Sequence, residues 1–142
     1  MAGINTGKVI AGGLVAGVIM TASDMLSSFV LMKSDMEEMI ARLHLDAAAM
    51  QSTTGMVAWV ASDLVFGILL VLTYALMRPR LGAGPKTAAV AGFILYLAVT
   101  IVMFGLAGMG VFTTAAFVKS SVIYLVIIMV ASLVGGMIYT EE

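Results

Sequence analysis

Four stretches of this sequence are too long and too apolar to be hidden inside a protein of its size. They cover residues 8–32, 54–77, 86–109 and 117–139. Each exceeds the roughly 20 residues a helix needs to cross the hydrocarbon core of a bilayer. The whole chain has 142 residues, 62% of them hydrophobic and 11% charged, where an ordinary soluble domain carries about 25% charged residues. A small domain leaves much of its surface exposed, so the apolar surplus must face lipid. In lipid, unpaired backbone groups restrict a spanning chain to helices or a closed barrel. The runs lack the dyad alternation of barrel strands. The expected fold is therefore all-α: an integral membrane four-helix bundle, one domain over 1–142.

The first run has the layout of a signal peptide, with Lys8 ahead of an apolar stretch and a cleavage-like Ala22. We expect a retained first helix instead. The longest connection follows it. Ser34-Asp35-Met36-Glu37 matches a capping box, with Ser34 as N-cap and Glu37 at N3. Met36, Met39, Ile40, Leu43, Ala47 and Met50 then recur at helical spacing. Glu38 and Arg42 stand four apart, in the favourable order for a helical ion pair. These residues predict a short amphipathic helix over 35–50, lying on the membrane surface or packed across the mouth of the bundle. In the second connection Pro79 is expected to stop the second helix and Pro85 to open the third.

With four spans, both termini and the second connection share one side. Arg78, Arg80 and Lys86 crowd that short connection, and cations in short loops favour the cytoplasm. Both termini are therefore expected to be cytoplasmic, with the amphipathic helix on the outer, periplasmic side. Trp59, Tyr74 and Tyr139 would form an aromatic belt near the helix ends. The Arg78, Arg80 and Lys86 cluster would act as a topology signal or grip lipid headgroups.

The most informative residues are two acids. Asp24 and Asp63 interrupt the first and second runs in similar settings, Ala22-Ser23-Asp24-Met25-Leu26 and Ala61-Ser62-Asp63-Leu64-Val65. At 1.5 Å per residue both fall roughly 12–14 Å below the same surface. An intramembrane acid is costly unless it is neutral, hydrated or paired. No lysine, arginine or histidine lies at that depth in any span. Two carboxyls sharing one site cannot both ionise easily. Gly13, Gly17, Thr21, Asp24 and Ser28 follow one stripe of the first helix, and Gly13 with Gly17 makes a GxxxG pair that permits close approach. Trp59, Asp63, Gly67 and Tyr74 share a face of the second, and the two stripes are expected to meet. Such acids suit a proton- or cation-coupled transporter. The plainer role is interhelical glue, by hydrogen bonds between helices.

Little else carries chemistry. No cysteine is present, which excludes disulfides and thiolate metal sites. The only histidine, His44, lies outside the spans, so no haem held by two buried histidines is possible. Thirteen methionines include Met32, Met36 and Met39, a soft-ligand set suited to Cu(I); methionine also serves as a flexible packing residue. We expect no resident metal or cofactor, no catalytic residue and no nucleic-acid partner.

Two segments are similar to a known group. Thr6-Gly7-Lys8-Val9-Ile10-Ala11-Gly12-Gly13-Leu14-Val15-Ala16-Gly17 resembles the opening of small bacterial four-helix inner-membrane proteins of unassigned function. The junction Met77-Arg78-Pro79-Arg80-Leu81-Gly82-Ala83-Gly84-Pro85-Lys86-Thr87-Ala88 and the acid at Asp24 fit the same pattern. That resemblance implies a bacterial inner-membrane location and no particular activity. The expected role is a non-catalytic accessory or structural subunit of a larger membrane complex, such as a respiratory or photosynthetic assembly. It would contact lipid and other integral subunits or copies of itself. The alternative is a small oligomeric proton- or cation-coupled transporter or channel using Asp24 and Asp63.

Overall fold

The computed structural model describes residues 3–140. It is all-α in these residues. Helix α1 covers Thr6–Leu26 and continues as a π-helical turn, Ser27–Leu31; α2 covers Lys33–Leu43, α3 Ala47–Met50, α4 Thr53–Leu81, α5 Pro85–Gly108 and α6 Thr114–Ile138. The four long apolar helices have 26 (with the π turn), 29, 24 and 25 residues. Even the shortest is about 36 Å long at 1.5 Å per residue, enough to cross a bilayer.

The helix starts are chemically marked. Asn5, Asp46, Ser52 and Thr113 each accept a hydrogen bond from a backbone N–H three residues on, at 3.1, 3.0, 3.1 and 3.2 Å. These caps satisfy donors that have no intrahelical partner. Pro85 stands in the first turn of α5, as its lack of an N–H favours.

The second span runs further than expected. Pro79 lies inside α4, which ends only at Leu81, capped by Gly82 at φ 83°. A proline deletes one backbone donor. So close to the C-terminus that loss is local, and Gly82 N–H still reaches the Arg78 carbonyl at 2.9 Å.

The predicted amphipathic helix over 35–50 is two pieces. Its N-cap position is Met32 rather than Ser34, which lies within the first turn. His44 adopts a left-handed conformation, φ 53°, and the Leu45 N–H returns to the Ile40 carbonyl at 3.0 Å. That backbone reversal ends α2 as a left-handed cap does, and Asp46 then starts α3. Among the described residues no ion pair joins Glu38 to Arg42. Arg42 instead donates to the Val111 carbonyl at 2.7 Å, and Lys119 pairs with Asp35 at 2.8 Å. These two links carry α2 from the end of α1 across to the α5–α6 connection, with Met36, Met39 and Ile40 half-buried beneath it. The helix straps the mouth of the bundle.

α1 packs against α4 and α6, and α5 packs against the same two from the opposite corner. α4 and α6 meet across the short diagonal. The backbones approach through small residues. Gly12 of α1 faces Gly135 of α6, so closely that a Cβ at Gly12 would lie 2.6 Å from the Gly135 carbonyl. Gly92 of α5 fits against Ser132 of α6, whose hydroxyl donates to the Ala88 carbonyl at 2.7 Å. In lipid, where no hydrophobic drive brings helices together, such packing and hydrogen bonding hold the bundle.

The core is uneven. Val9, Val71, Tyr74, Ala75, Ala88, Ala91 and Tyr139 form one cluster toward the termini; Ala16, Met20, Leu70, Ile127, Ile128 and Ala131 form a second near the middle. Of α5 only Thr87, Ala88, Ala91 and Gly92 are buried. The far half of the bundle, beneath α2, turns most of its side chains outward.

Tyr74 and Tyr139 are not belt residues. Both are buried, with rings edge-to-face at 6.0 Å between centroids. The Tyr74 hydroxyl accepts from Gly84 N–H at 3.1 Å, and that of Tyr139 accepts from Asn5 N–H at 3.3 Å. The Arg78 guanidinium carbon lies 5.7 and 5.2 Å from the two ring centroids, a cation–π arrangement. This cluster draws the N-terminal segment, the α4–α5 connection and the end of α6 to one side. Arg80 and Lys86 are exposed there. Tyr74→Phe should leave the Gly84 N–H without its acceptor and lower thermal stability in detergent by about 1 kcal/mol. Conservation of the wild-type melting temperature would show that this hydroxyl does not hold the connection.

Candidate functional site

Among the described glycines, the tightest backbone approach brings α1 and α4 together at Gly67. A Cβ added there would lie within 3.0 Å of Gly13 O, Gly17 N and Gly17 Cα. From the other side, Gly13 rests on the Ile68 backbone and Gly17 on Leu64 and the Asp63 carbonyl. Gly17 lies about two turns before Asp24 and Gly67 about one turn after Asp63, so this seam clamps the two backbones that carry the acids.

Asp24 and Asp63 are 3% and 7% exposed. The two carboxyls interact electrostatically with each other. The indole N–H of Trp59 and the hydroxyl of Tyr124 approach Asp24, and the hydroxyl of Thr21 approaches Asp63. Despite these neighbours, Thr21 Oγ1, Asp24 Oδ1 and Asp63 Oδ2 are enclosed without a hydrogen-bond partner among the described residues. Enclosed polar atoms without partners are unusual in a folded protein and call for an explanation. The three elements deliver their groups at one level. Counted from the helix ends at Leu31, Thr53 and Thr114, Asp24, Asp63 and Tyr124 lie about 10–15 Å deep.

The π-helical turn begins three residues after Asp24. The Met32 N–H bonds the Ser27 carbonyl at 2.7 Å, five residues back. Such turns arise often at functional sites, because they re-aim side chains within a helix. Here the turn separates the packed half of α1 from its splayed end, where Phe29, Val30 and Leu31 face outward. Beyond Asp24 toward α2, only Ser27 on α1 is buried; before Asp63, no residue of α4 is. The acid pair thus sits at the border between the packed and splayed halves.

Of the residues singled out in the sequence, the structure gathers Asp24, Asp63, Thr21, Gly13, Gly17 and Gly67 at this seam. Trp59 belongs to it by its N–H, although its ring is half exposed. Ser28 is only half-buried. Arg78, Arg80 and Lys86 lie at the opposite end, around the α4–α5 connection. Tyr124 was not foreseen. The signal available for it was depth, since it stands as far into the fourth span as the acids stand into the first two. Among the described residues no group of three histidine, cysteine, aspartate or glutamate side chains could hold a metal ion.

Fold and site together define a multi-span helical membrane protein with an acid pair enclosed at the α1–α4 seam. Compared with protein-family models, with curated proteins and with solved structures, the chain gives no significant match.

Proposed function

We propose that the chain is a non-catalytic accessory subunit of the bacterial inner membrane, with both termini in the cytoplasm, working by packing against other integral membrane proteins. A bacterial inner-membrane setting is what the resemblance of its opening segment and of its second connection implies. The basic α4–α5 connection supports the orientation. The observation that carries the reading is the outer face of α4. Ala58, Ala61 and Ser62 are small and exposed there, and the Ser62 hydroxyl is turned back onto the Ala58 carbonyl at 2.8 Å. On this face lie two shallow grooves of about 350 and 320 Å³, one lined by Ser62, Val65, Phe66 and Leu69, the other by Met56, Val57, Val60 and Leu64, with Ala61 common to both. Small exposed residues let a neighbouring transmembrane helix approach closely.

Native mass spectrometry of gently solubilised source membranes tests this. The expected result is the chain bound to other membrane proteins at fixed stoichiometry, with binding lost in Ala61→Phe. Recovery only as a monomer or homo-oligomer would overturn it. The enclosed acid pair supports a second reading, an oligomeric proton- or cation-coupled transporter or channel that uses Asp24 and Asp63.

A further inference from the structure

We infer that the Asp24–Asp63 seam is a binding site for a dehydrated monovalent cation of sodium size, reached from the α2 side of the bundle. The inference rests on the second reading above and names its ligand. Two carboxyls more than nine-tenths buried each leave an oxygen without a partner, and so does the hydroxyl of Thr21 beside them. When ionised the two carboxylate oxygens can only accept, the Thr21 hydroxyl can accept as well as donate, and no cationic side chain lies at their level on any span. A cation from outside would satisfy all three at once.

The donor type sets its class. Asp24, Asp63, Thr21 and Tyr124 together bring six side-chain oxygens, and oxygen is the donor that hard cations select. Magnesium keeps several waters, which a tight helix seam does not admit; calcium takes six to eight oxygens and would compete for the same set, so a response to calcium and not to sodium would overturn the monovalent assignment. One sodium ion leaves a single residual negative charge. The Trp59 N–H and the Tyr124 O–H approach Asp24 and can donate to it. The glycine seam fixes the α1–α4 spacing, so the oxygens are held in place before the ion arrives. On α5, the tyrosine nearest this level, Tyr96, is stacked on Phe93 at 6.0 Å. The titratable groups that face the site are thus Asp24, Asp63 and Tyr124. Access lies through the splayed half, beneath the strap held by Lys119–Asp35 and Arg42–Val111.

Trp59 is the only tryptophan and reports directly on Asp24. Its fluorescence is to be recorded on the full chain in lipid nanodiscs at pH 8, with sodium chloride replacing choline chloride at constant ionic strength. We expect a saturable sodium-dependent change that choline does not produce. The half-saturating sodium concentration should rise as pH falls, because protons compete for the same oxygens. Asp24→Asn and Asp63→Asn should abolish the response. Thr21→Val and Tyr124→Phe, gentler changes that keep the helices intact, should raise half-saturation about tenfold or more. No response, an equal response to choline, or a response to pH without sodium dependence would overturn the proposal. Sodium binding without sodium flux in loaded vesicles would leave the site standing and remove the transporter reading.

Discussion

Replacing Gly67 with alanine is expected to be the most damaging single methyl addition in this protein. The new Cβ would point into the backbone of α1, within 3.0 Å of Gly13 O, Gly17 N and Gly17 Cα. None of these is a flexible side-chain end that can swing aside. The helices must separate, and every contact along the α1–α4 seam weakens with them. Overpacking of a well-filled interior costs about 1–3 kcal/mol, and a backbone-to-backbone collision belongs at the top of that range. Gly105→Ala is the matched control, because a Cβ there meets nothing within 4 Å. It should be neutral or slightly stabilising, since alanine is the better helix former. Thermal unfolding in detergent measures both. Equal melting temperatures for the two variants would show that α1 and α4 do not meet as described. Gly67→Ala should also abolish the sodium response of Trp59, by pulling the two acids apart.

The second large effect concerns the acids. A buried polar group without a partner costs about 1–3 kcal/mol, and a charged one more. Asp24 and Asp63 keep enclosed oxygens in that condition. The double variant Asp24→Asn, Asp63→Asn retains the shape and removes the charge. It is expected to be more stable than the wild type in sodium-free detergent, by about 1–3 kcal/mol. In saturating sodium that advantage should shrink or vanish, because an ion that binds only the folded state stabilises it. Glue residues behave in the opposite way, since removing them loosens the helices under all conditions. A double variant less stable than wild type in both media would assign the acids to packing and sink the cation site.

Much of the far side of the molecule depends on two modest links. The Lys119–Asp35 pair and the Arg42–Val111 hydrogen bond are at least partly exposed, and exposed ion pairs contribute little on their own. α2 is therefore only lightly held over that end of the bundle, and local opening there is the natural route for an ion.

The four spans were legible in the sequence, and the reason is thermodynamic. Apolar side chains and internally paired backbone are the conditions for crossing lipid, and both are local properties of a run of residues. The depth of Asp24 and Asp63 was legible for the same reason, because rise per residue converts position into distance. Gly13, Gly17 and Gly67 could be placed on faces by their spacing. Other features turned on contacts between distant segments. Which corners α1, α4, α5 and α6 occupy depends on the match between small residues such as Gly12 and Gly135, far apart in the chain. Nothing local says that Tyr74 and Tyr139 turn inward to hold Gly84 and Asn5, or that Pro79 is carried in the last turn of α4. The left-handed His44 that splits α2 from α3, and the π turn after Asp24, are choices among backbone states of similar energy, settled by packing. Tyr124 joined the acids only when α6 was set against α1. The sequence by itself determined that the chain lies in a membrane and that two acids lie deep within it. Tertiary structure alone decided that Tyr124 joins those acids inside one bundle, because a partner's identity is a property of the packed helices and of no single helix.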